Sequence, residues 1–242
     1  MNKKGESRLT LELTEPQLCT IADCVEDIHR FLAGETELSN TLSWLEGTHE
    51  VAKMKEHLRN LQKYVTPDIP GSASYSWSGG DCSNECQRKY IAMTYPIYRE
   101  IRHQLALAHG KENVYTSPTL TCEDSLPLPI IKRIETKEWK RWSLEVIESQ
   151  LRIISDCSED LGRLLSGQLQ LLHTTNILIA NPGYDNLISG LESLKPLITP
   201  NLSSSNSSYG YTGGGCPFPG QAKAIAAMSE IYYSSKRFNF QS

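Results

Sequence analysis

Ile21-Ala22-Asp23-Cys24-Val25-Glu26-Asp27 is answered, 133 positions further on, by Ile154-Ser155-Asp156-Cys157-Ser158-Glu159-Asp160. Helical leucine patterning does not by itself reproduce an Asp-Cys-x-Glu-Asp string, so this pair decides how the chain is built. Moving toward the N-terminus, Leu11-Glu12-Leu13-Thr14-Glu15-Pro16-Gln17-Leu18 falls on Leu144-Glu145-Val146-Ile147-Glu148-Ser149-Gln150-Leu151. Moving the other way, Arg30, Leu32, Gly34 and Leu38 recur as Arg163, Leu165, Gly167 and Leu171. Between positions 11 and 38, 14 of 28 residues are identical to their counterparts, where ordinary residue frequencies give about two. The match resumes with Leu58, Leu61, Val65 and Thr66-Pro67 on Leu191, Leu194, Ile198 and Thr199-Pro200. With one added residue, Ser74-Tyr75-Ser76-Trp77-Ser78-Gly79-Gly80-Asp81-Cys82 then falls on Ser208-Tyr209-Gly210-Tyr211-Thr212-Gly213-Gly214-Gly215-Cys216. Gln87, Lys89, Ile91, Ala92, Ile97 and Tyr98 follow on Gln221, Lys223, Ile225, Ala226, Ile231 and Tyr232. We expect a tandem duplication of a unit of about 100 residues, an ordinary domain size, with units at 8–109 and 137–240 joined by 110–136. The period is too long for a solenoid repeat.

Within one unit, Arg8-Leu9-Thr10-Leu11-Glu12-Leu13 alternates apolar and polar residues, which predicts a strand. Trp142, Leu144 and Val146 carry the same phase. Thr14-Glu15-Pro16-Gln17 reads as a helix start, with a Thr cap, an early Pro and a Gln three residues after the cap. Leu18, Ile21, Val25, Ile28 and Leu32 follow at helical spacing, and Gly34 closes the helix. Further helices are predicted at 37–46, 49–65 and 84–108, the last containing Pro96, a potential kink. The second unit repeats the plan at 148–166, 168–179, 184–197 and 219–237. Pro118, Pro127 and Pro129 mark 110–136 as a linker running over the surface, and the Ser/Asn/Gly-rich stretch 203–215 reads as mobile. One strand per unit leaves its backbone groups unpaired. The two equivalent strands are therefore expected to pair with each other about a pseudo-twofold axis. The fold class expected is α+β and predominantly helical, with two strand-plus-four-helix units forming a pseudo-dimer in one chain.

Composition narrows the function. Hydrophobic residues make up 39% and charged residues 21% of 242 positions, enough apolar material for a packed core. A net charge of −4 supplies no positive field to release counterions, so direct nucleic-acid binding is not expected. No apolar run reaches membrane-spanning length. The N-terminal residues carry no signal-peptide pattern, so a cytoplasmic location is expected. The seven Cys, an odd number, read as reduced thiols. Asn201-Leu202-Ser203 and Asn206-Ser207-Ser208 match the glycosylation triplet by pattern only.

Chemistry-bearing patterns are few. Cys82-x3-Cys86 with His103 and His109 resembles a zinc pattern, but the spacing is loose and Gly220 and Arg237 replace Cys86 and His103 in the second unit. Zinc needs three or four converging donors, so these thiols, like Cys24 and Cys157, are read as structural and no metal or cofactor is expected. No nucleophile elbow, P-loop or dinucleotide fingerprint is present. Asp23, Glu26 and Asp27 recur as Asp156, Glu159 and Asp160; with Arg30 four residues after Glu26, they read as surface ion pairing. The glycine loop offers the most for binding. Tyr75 and Trp77, and Tyr209 and Tyr211, can stack on a flat ring. Gly79 and Gly80, and Gly213 and Gly214, can turn N–H groups toward an anion at a helix start. Arg99, Arg102 and His103 lie on the helix that follows and supply charge. The competing reading of the same loop is a tight glycine turn with its aromatics tucked into the core.

The run Ser74-Tyr75 with Tyr95-Pro96-Ile97-Tyr98-Arg99-Glu100-Ile101-Arg102-His103, behind a Leu-x-Leu-Thr strand and an amphipathic helix over Leu9 to Leu32, resembles a group of small proteins encoded by bacteriophages and mobile elements of gut bacteria. The resemblance covers most of the first unit. The second departs from it at Ile231-Tyr232-Tyr233-Ser234-Ser235-Lys236-Arg237, where an Arg-His function would be lost. It implies an accessory role such as blocking a host defence. The function expected is accordingly a non-catalytic inhibitor of a host defence protein in the cytoplasm of a bacterial host, with further homo-oligomerisation possible. Alternatives are a sponge holding a signalling nucleotide in the aromatic/glycine loops, and an enzyme using Cys82 or His103. A nucleic-acid mimic would need a denser row of carboxylates.

Overall fold

A computed structural model describes residues 7–71, 73–111, 114–118, 124–135, 140–202 and 207–238. The first half runs β1 (Leu9–Leu13), α1 (Glu15–Ala33), α2 (Ser39–Ser43), α3 (Val51–Val65) and α4 (Glu85–Ala108). The join supplies β2 (Ile130–Glu135). The second half runs β3 (Lys140–Val146), α5 (Glu148–Ser166), α6 (Leu172–Ile177), α7 (Tyr184–Glu192), α8 (Lys195–Ile198) and α9 (Pro219–Lys236). The fold is α+β and mostly helical, and among the described residues no helix is long and apolar enough to cross a membrane. Cys122, Ser203 and Asn206, which entered the thiol and glycosylation readings, lie outside the described residues, as does the start of the 203–215 stretch.

The helix starts follow their local sequence. Thr14 Oγ1 accepts from the Gln17 backbone N–H, and Gln17 Oε1 accepts from the Thr14 N–H at 2.8 Å. In α5 the capping residue is Ile147, which has no side-chain acceptor; only the return bond remains, from Ile147 N–H to Gln150 Oε1 at 2.9 Å. Both helices end on a left-handed glycine, Gly34 at φ +105° and Gly167 at φ +90°. A Cβ on either would come within 2.7 Å of Thr66 Cγ2 or 2.8 Å of Thr199 Cγ2. Glycine is therefore demanded twice at each site, by the backbone and by the neighbour.

The strands β1 and β3 pair antiparallel, Leu9 with Val146, Leu11 with Leu144 and Leu13 with Trp142. Because 9, 11 and 13 correspond to 142, 144 and 146, this register is its own image when the halves are exchanged. The sheet order is β1-β3-β2. β2 corrects the sequence reading, which placed 130–135 in a linker without regular structure. It pairs with β3 from Ile130–Glu145 to Glu135–Lys140, and Lys132 bridges to Glu145 at 2.8 Å. Ile130 is exposed and Ile131 half-buried, so an outer strand with no buried face leaves little alternating pattern to read. Tyr115 and Ser117 of the join lie against α4: the Arg99 guanidinium lies 5.1 Å from the Tyr115 ring centre, His103 Nδ1–H donates to Tyr115 O at 2.7 Å and Ser117 to Glu100 at 2.8 Å.

The short helices also differ from expectation. The helices predicted at 37–46 and 168–179 shrink to α2 and α6, each entered through a leucine at positive φ, Leu38 and Leu171. The helix predicted at 184–197 is broken into α7 and α8, whereas its counterpart α3 is continuous. Pro196 stands where α3 has Lys63, and a prolyl nitrogen has no hydrogen to continue the ladder.

Packing places α1 on α4, α5 on α9, and α1 against α5. One buried apolar cluster includes both halves, with Leu18, Ile21, Phe31 and Leu32 of α1 and Leu151, Ile154, Leu164 and Leu165 of α5. Buried polar groups bind the elements. Gln87 Nε2 donates to Leu32 O and Val65 O at 2.7 and 2.9 Å; Gln221 Nε2 donates to Leu165 O and Ile198 O at 2.8 and 3.0 Å. These carbonyls lie at helix ends, where no intrahelical donor reaches them. Asp27 accepts the N–H groups of Asn40 and Thr41 at the start of α2, and Asp160 those of His173 and Thr174 at the start of α6. Burial raises both carboxyl pKa values, Asp27 to about 6, against the opposing pull of those N–H donors.

Candidate functional site

A cleft of about 600 Å³ opens in the first half beside the C-terminal end of α1, walled by α2, α3 and α4. Charged side chains dominate its lining. Arg102, from α4, reaches across to α1 and bonds Asp23 at 2.6 Å and Glu26 at 2.7 Å. Arg30 takes the other oxygen of Glu26 at 3.0 Å and extends to Glu35 at 2.8 Å. Arg59, from α3, pairs with Glu37 at 2.5 Å. The Asp23–Glu26–Arg30 set was expected to be surface pairing. The Arg30–Glu26 pair is present, but Glu26 is only 5% exposed and the cluster is an interhelical tie, because Arg102 inserts between the carboxylates. Burial works against the Arg102 charge, yet Asp23 and Glu26 outweigh it and hold its pKa above the ordinary arginine value. Burial raises the Asp23 pKa against the same pairing.

The second half has a matching cleft of about 450 Å³, lined by Arg163, Gly167, Gln168, Gln170, Glu192 and Lys195. Its charges differ: Glu35 and Glu37 are matched by Gln168 and Gln170, and Arg59 by Glu192. The acidic pair of α5 is met by a different residue. His173, where α2 has Asn40, bonds Glu159 at 2.8 Å and lies 3.7 Å from Asp156. Burial alone would raise the Glu159 pKa; the His173 and Arg163 contacts outweigh it and lower it.

The glycine loops turn inward. Tyr75 and Tyr209 are buried, and their hydroxyls donate to Asp68 and Asn201. Their backbone N–H groups bond Ala33 O and Ser166 O at 2.7 and 2.8 Å, closing the loop onto the end of the preceding long helix. Gly79 N–H bonds Ser76 O, Gly80 N–H bonds Ser76 Oγ and Gly213 N–H bonds Gly210 O. Gly214 contributes its carbonyl to Gly210 N–H. A Cβ at Gly79 or Gly213 would fall within 2.8 Å of Arg88 or 2.5 Å of Ala222 backbone atoms. These glycines thus admit a helix into close contact, and the expectation that Gly79, Gly80 and Gly213 offer N–H groups to an anion is corrected: the loop uses those groups itself.

The other candidates separate. Trp77 is exposed at its edge and packs on Tyr95, with ring centres 4.8 Å apart. Tyr211 is half exposed at a second, smaller cleft. Arg102 belongs to the charged cleft, while Arg99 and His103 hold the Tyr115 segment. The sequence reading did not single out Arg59, Glu35 or Glu37; they carry no shared motif, and only the meeting of α1, α2 and α3 brings them together.

Burial disfavours ionisation of three thiols. Burial pushes Cys82 up and Cys24 and Cys157 well up, and Cys82 Sγ–H donates to Asn84 O while His103 is engaged elsewhere. Among the described residues, no group of three or more His, Cys, Asp or Glu side chains is placed to hold a metal ion. No family model matches the chain, and no curated protein and no solved structure is detectably similar to it.

Proposed function

We propose that the chain is a non-catalytic accessory protein of a bacteriophage or mobile element that binds and inhibits a host defence protein in the bacterial cytoplasm. Its surface for that partner is the charged cleft of the first half. The observation that carries this reading is the rim of the cleft, where Arg30–Glu35 and Arg59–Glu37 stand about half exposed above the buried Arg102 tie. Exposed pairs of this kind contribute about 0–1 kcal/mol. A protein partner bearing both charge signs can replace their internal partners at small cost, while Arg102 keeps the walls in place. The burial of Cys24, Cys82 and Cys157, which disfavours their thiolates, favours a binding role over a nucleophilic one at these residues.

The same proposal holds that the chain arose by duplication of a strand-plus-four-helix unit, with copies at 8–109 and 137–240 forming a pseudo-twofold dimer. Its support is the self-image register of β1 and β3, the paired Gln87 and Gln221 bonds and the matching carboxylates Asp27 and Asp160. A nucleotide sponge draws support from the exposed rings of Trp77 and Tyr211 but none from the glycine N–H groups.

The test is expression in bacterial strains carrying single defence systems and challenged with phage. Plaque counts should rise with the wild-type chain in at least one strain. They should fall back to the empty-vector level with Arg30→Glu/Arg59→Glu, whose thermal melt should match the wild type. Unchanged counts in all strains, or a double variant as active as the wild type, would overturn the reading.

A further inference from the structure

In the first half, four rings pack in series. Trp77 lies on Tyr95 with centres 4.8 Å apart and planes at 32°; Tyr95 meets Tyr98 edge-on at 5.8 Å. The His29 imidazole touches both, at 5.8 and 5.1 Å. In the second half the outer members persist as Tyr211 and Tyr232, while His29 and Tyr95 are matched by Gly162 and Ser229. The space those two rings fill in one half is open in the other. It forms a cleft of about 110 Å³ lined by Ser158, Gly162, Tyr211, Ser229, Tyr232 and Tyr233, with Glu159 and Arg163 at its edge.

Two features set this cleft apart from incidental loose packing. Gly162 lies within α5 at an ordinary helical φ, and the nearest atom to a Cβ built there is Met228 Cβ at 3.4 Å, a van der Waals contact. Close helix packing therefore does not demand the glycine, although glycine inside a helix is less favourable than a residue with a side chain. Separately, Ser158 is 1% exposed and its hydroxyl has, among the described residues, no hydrogen-bond partner stronger than the Cys24 thiol. A thiol is a weak partner for a buried hydroxyl, which leaves capacity for a further donor or acceptor.

We propose that this cleft binds a single flat heteroaromatic ring, held between Tyr211 and Tyr232 with its polar edge toward Ser158. The first half shows the arrangement with the chain's own rings: Tyr95 lies between Trp77 and Tyr98, with the His29 imidazole beside it. The cleft, at about 110 Å³, is smaller than the closed apolar cavity of about 150 Å³ that accommodates benzene, but it is open to solvent, so it takes one five- or six-membered ring with one edge and its substituents outside. Two sources share this chemistry, a free pyrimidine nucleoside and a histidine side chain of a partner. The proposal is independent of the charged cleft and of the anti-defence reading.

Saturation-transfer NMR on the full chain tests it, with imidazole, cytidine and N-acetylhistidine methylamide as ring probes and ribose as the ringless control. Ring protons of at least one probe should receive saturation and ribose should not. Stronger binding of cytidine identifies a nucleoside site; stronger binding of the histidine amide identifies a partner side chain. The variant Gly162→His/Ser229→Tyr, which fills the cleft as the first half does, should lose the signal. Tyr211→Ala, a change at a half-exposed ring that spares the core, should weaken binding about 5- to 150-fold, the range found for one stacking contact; it decides the matter if the filled variant does not fold. Absence of a signal for every ring probe, or undiminished binding in the variant that folds, overturns the proposal.

Discussion

Gln87 and Gln221 donate to carbonyls at equivalent helix ends, and Asp27 and Asp160 gather equivalent N–H groups, yet His29 and Tyr95 face Gly162 and Ser229 across the same comparison. The shared residues answer backbone groups that are buried and have no water to turn to, so an exchange there leaves an orphan. The differing residues fill volume or neutralise charge, and those tasks have more than one solution. The acidic pair on the long central helices makes the point. Asp23 and Glu26 are met by Arg102 from α4; Asp156 and Glu159 are met by His173 from α6. One framework thus carries two different linings.

The largest expected difference between the halves is a pH effect. Burial lowers the His29 pKa to about 4, and Gly162 has nothing to titrate in its place. The folded-state value lies below the unfolded value of about 6.5, so protonation favours unfolding. The His29 contribution is complete above pH 6.5 and is lost as the pH falls toward 4, by about 3 kcal/mol in full. Urea unfolding of the wild type and of His29→Gln at pH 7 and pH 4.5 should show the stability gap between them narrowing at the lower pH. Asp27 works in the opposite sense in both proteins, since its raised pKa favours the folded state at low pH, and it cancels in the difference. A gap that stays constant would remove the buried neutral imidazole from the picture.

Next in size is the charge tie. Arg102→Ala leaves Asp23 and Glu26 partly buried without their interhelical partner and should destabilise by about 2–3 kcal/mol. Lys236→Ala, at the equivalent position, should cost less than about 1 kcal/mol, because His173 and Arg163 remain on Glu159. Equal losses in guanidinium titrations would mean that the halves balance these carboxylates in the same way after all.

The smallest difference between the halves belongs to the shared frame. Gly34→Ala and Gly167→Ala should each cost about 1–2 kcal/mol, from the left-handed backbone and the contact with Thr66 or Thr199. The two losses should agree within error in thermal melts. A marked inequality would break the equivalence of the two helix ends.

Much of this was legible beforehand. The Thr14–Gln17 cap, the closing glycines and the long helices follow from local patterns, and the pairing of the two equivalent strands from the need to satisfy their backbone groups. The strand β2 was missed because its residues neither alternate cleanly nor bury a face. The α7–α8 break was missed because Pro196 was read through the helical plan of its counterpart. Of the candidate ligand residues, Tyr75 and Tyr209 proved buried while Trp77 and Tyr211 stayed at the surface, a division that an aromatic-x-aromatic spacing does not reveal.

By itself the sequence determined the long helices and their ends, since capping chemistry and amphipathic periodicity are written within short windows of chain. Only the tertiary structure decided that Arg102 would close on carboxylates 76 and 79 residues away, that the glycine loops would turn inward, and that Gly162 and Ser229 would leave one aromatic cluster open. Those outcomes depend on which helix faces meet, and contact between distant residues leaves no periodicity in either of the segments that make it.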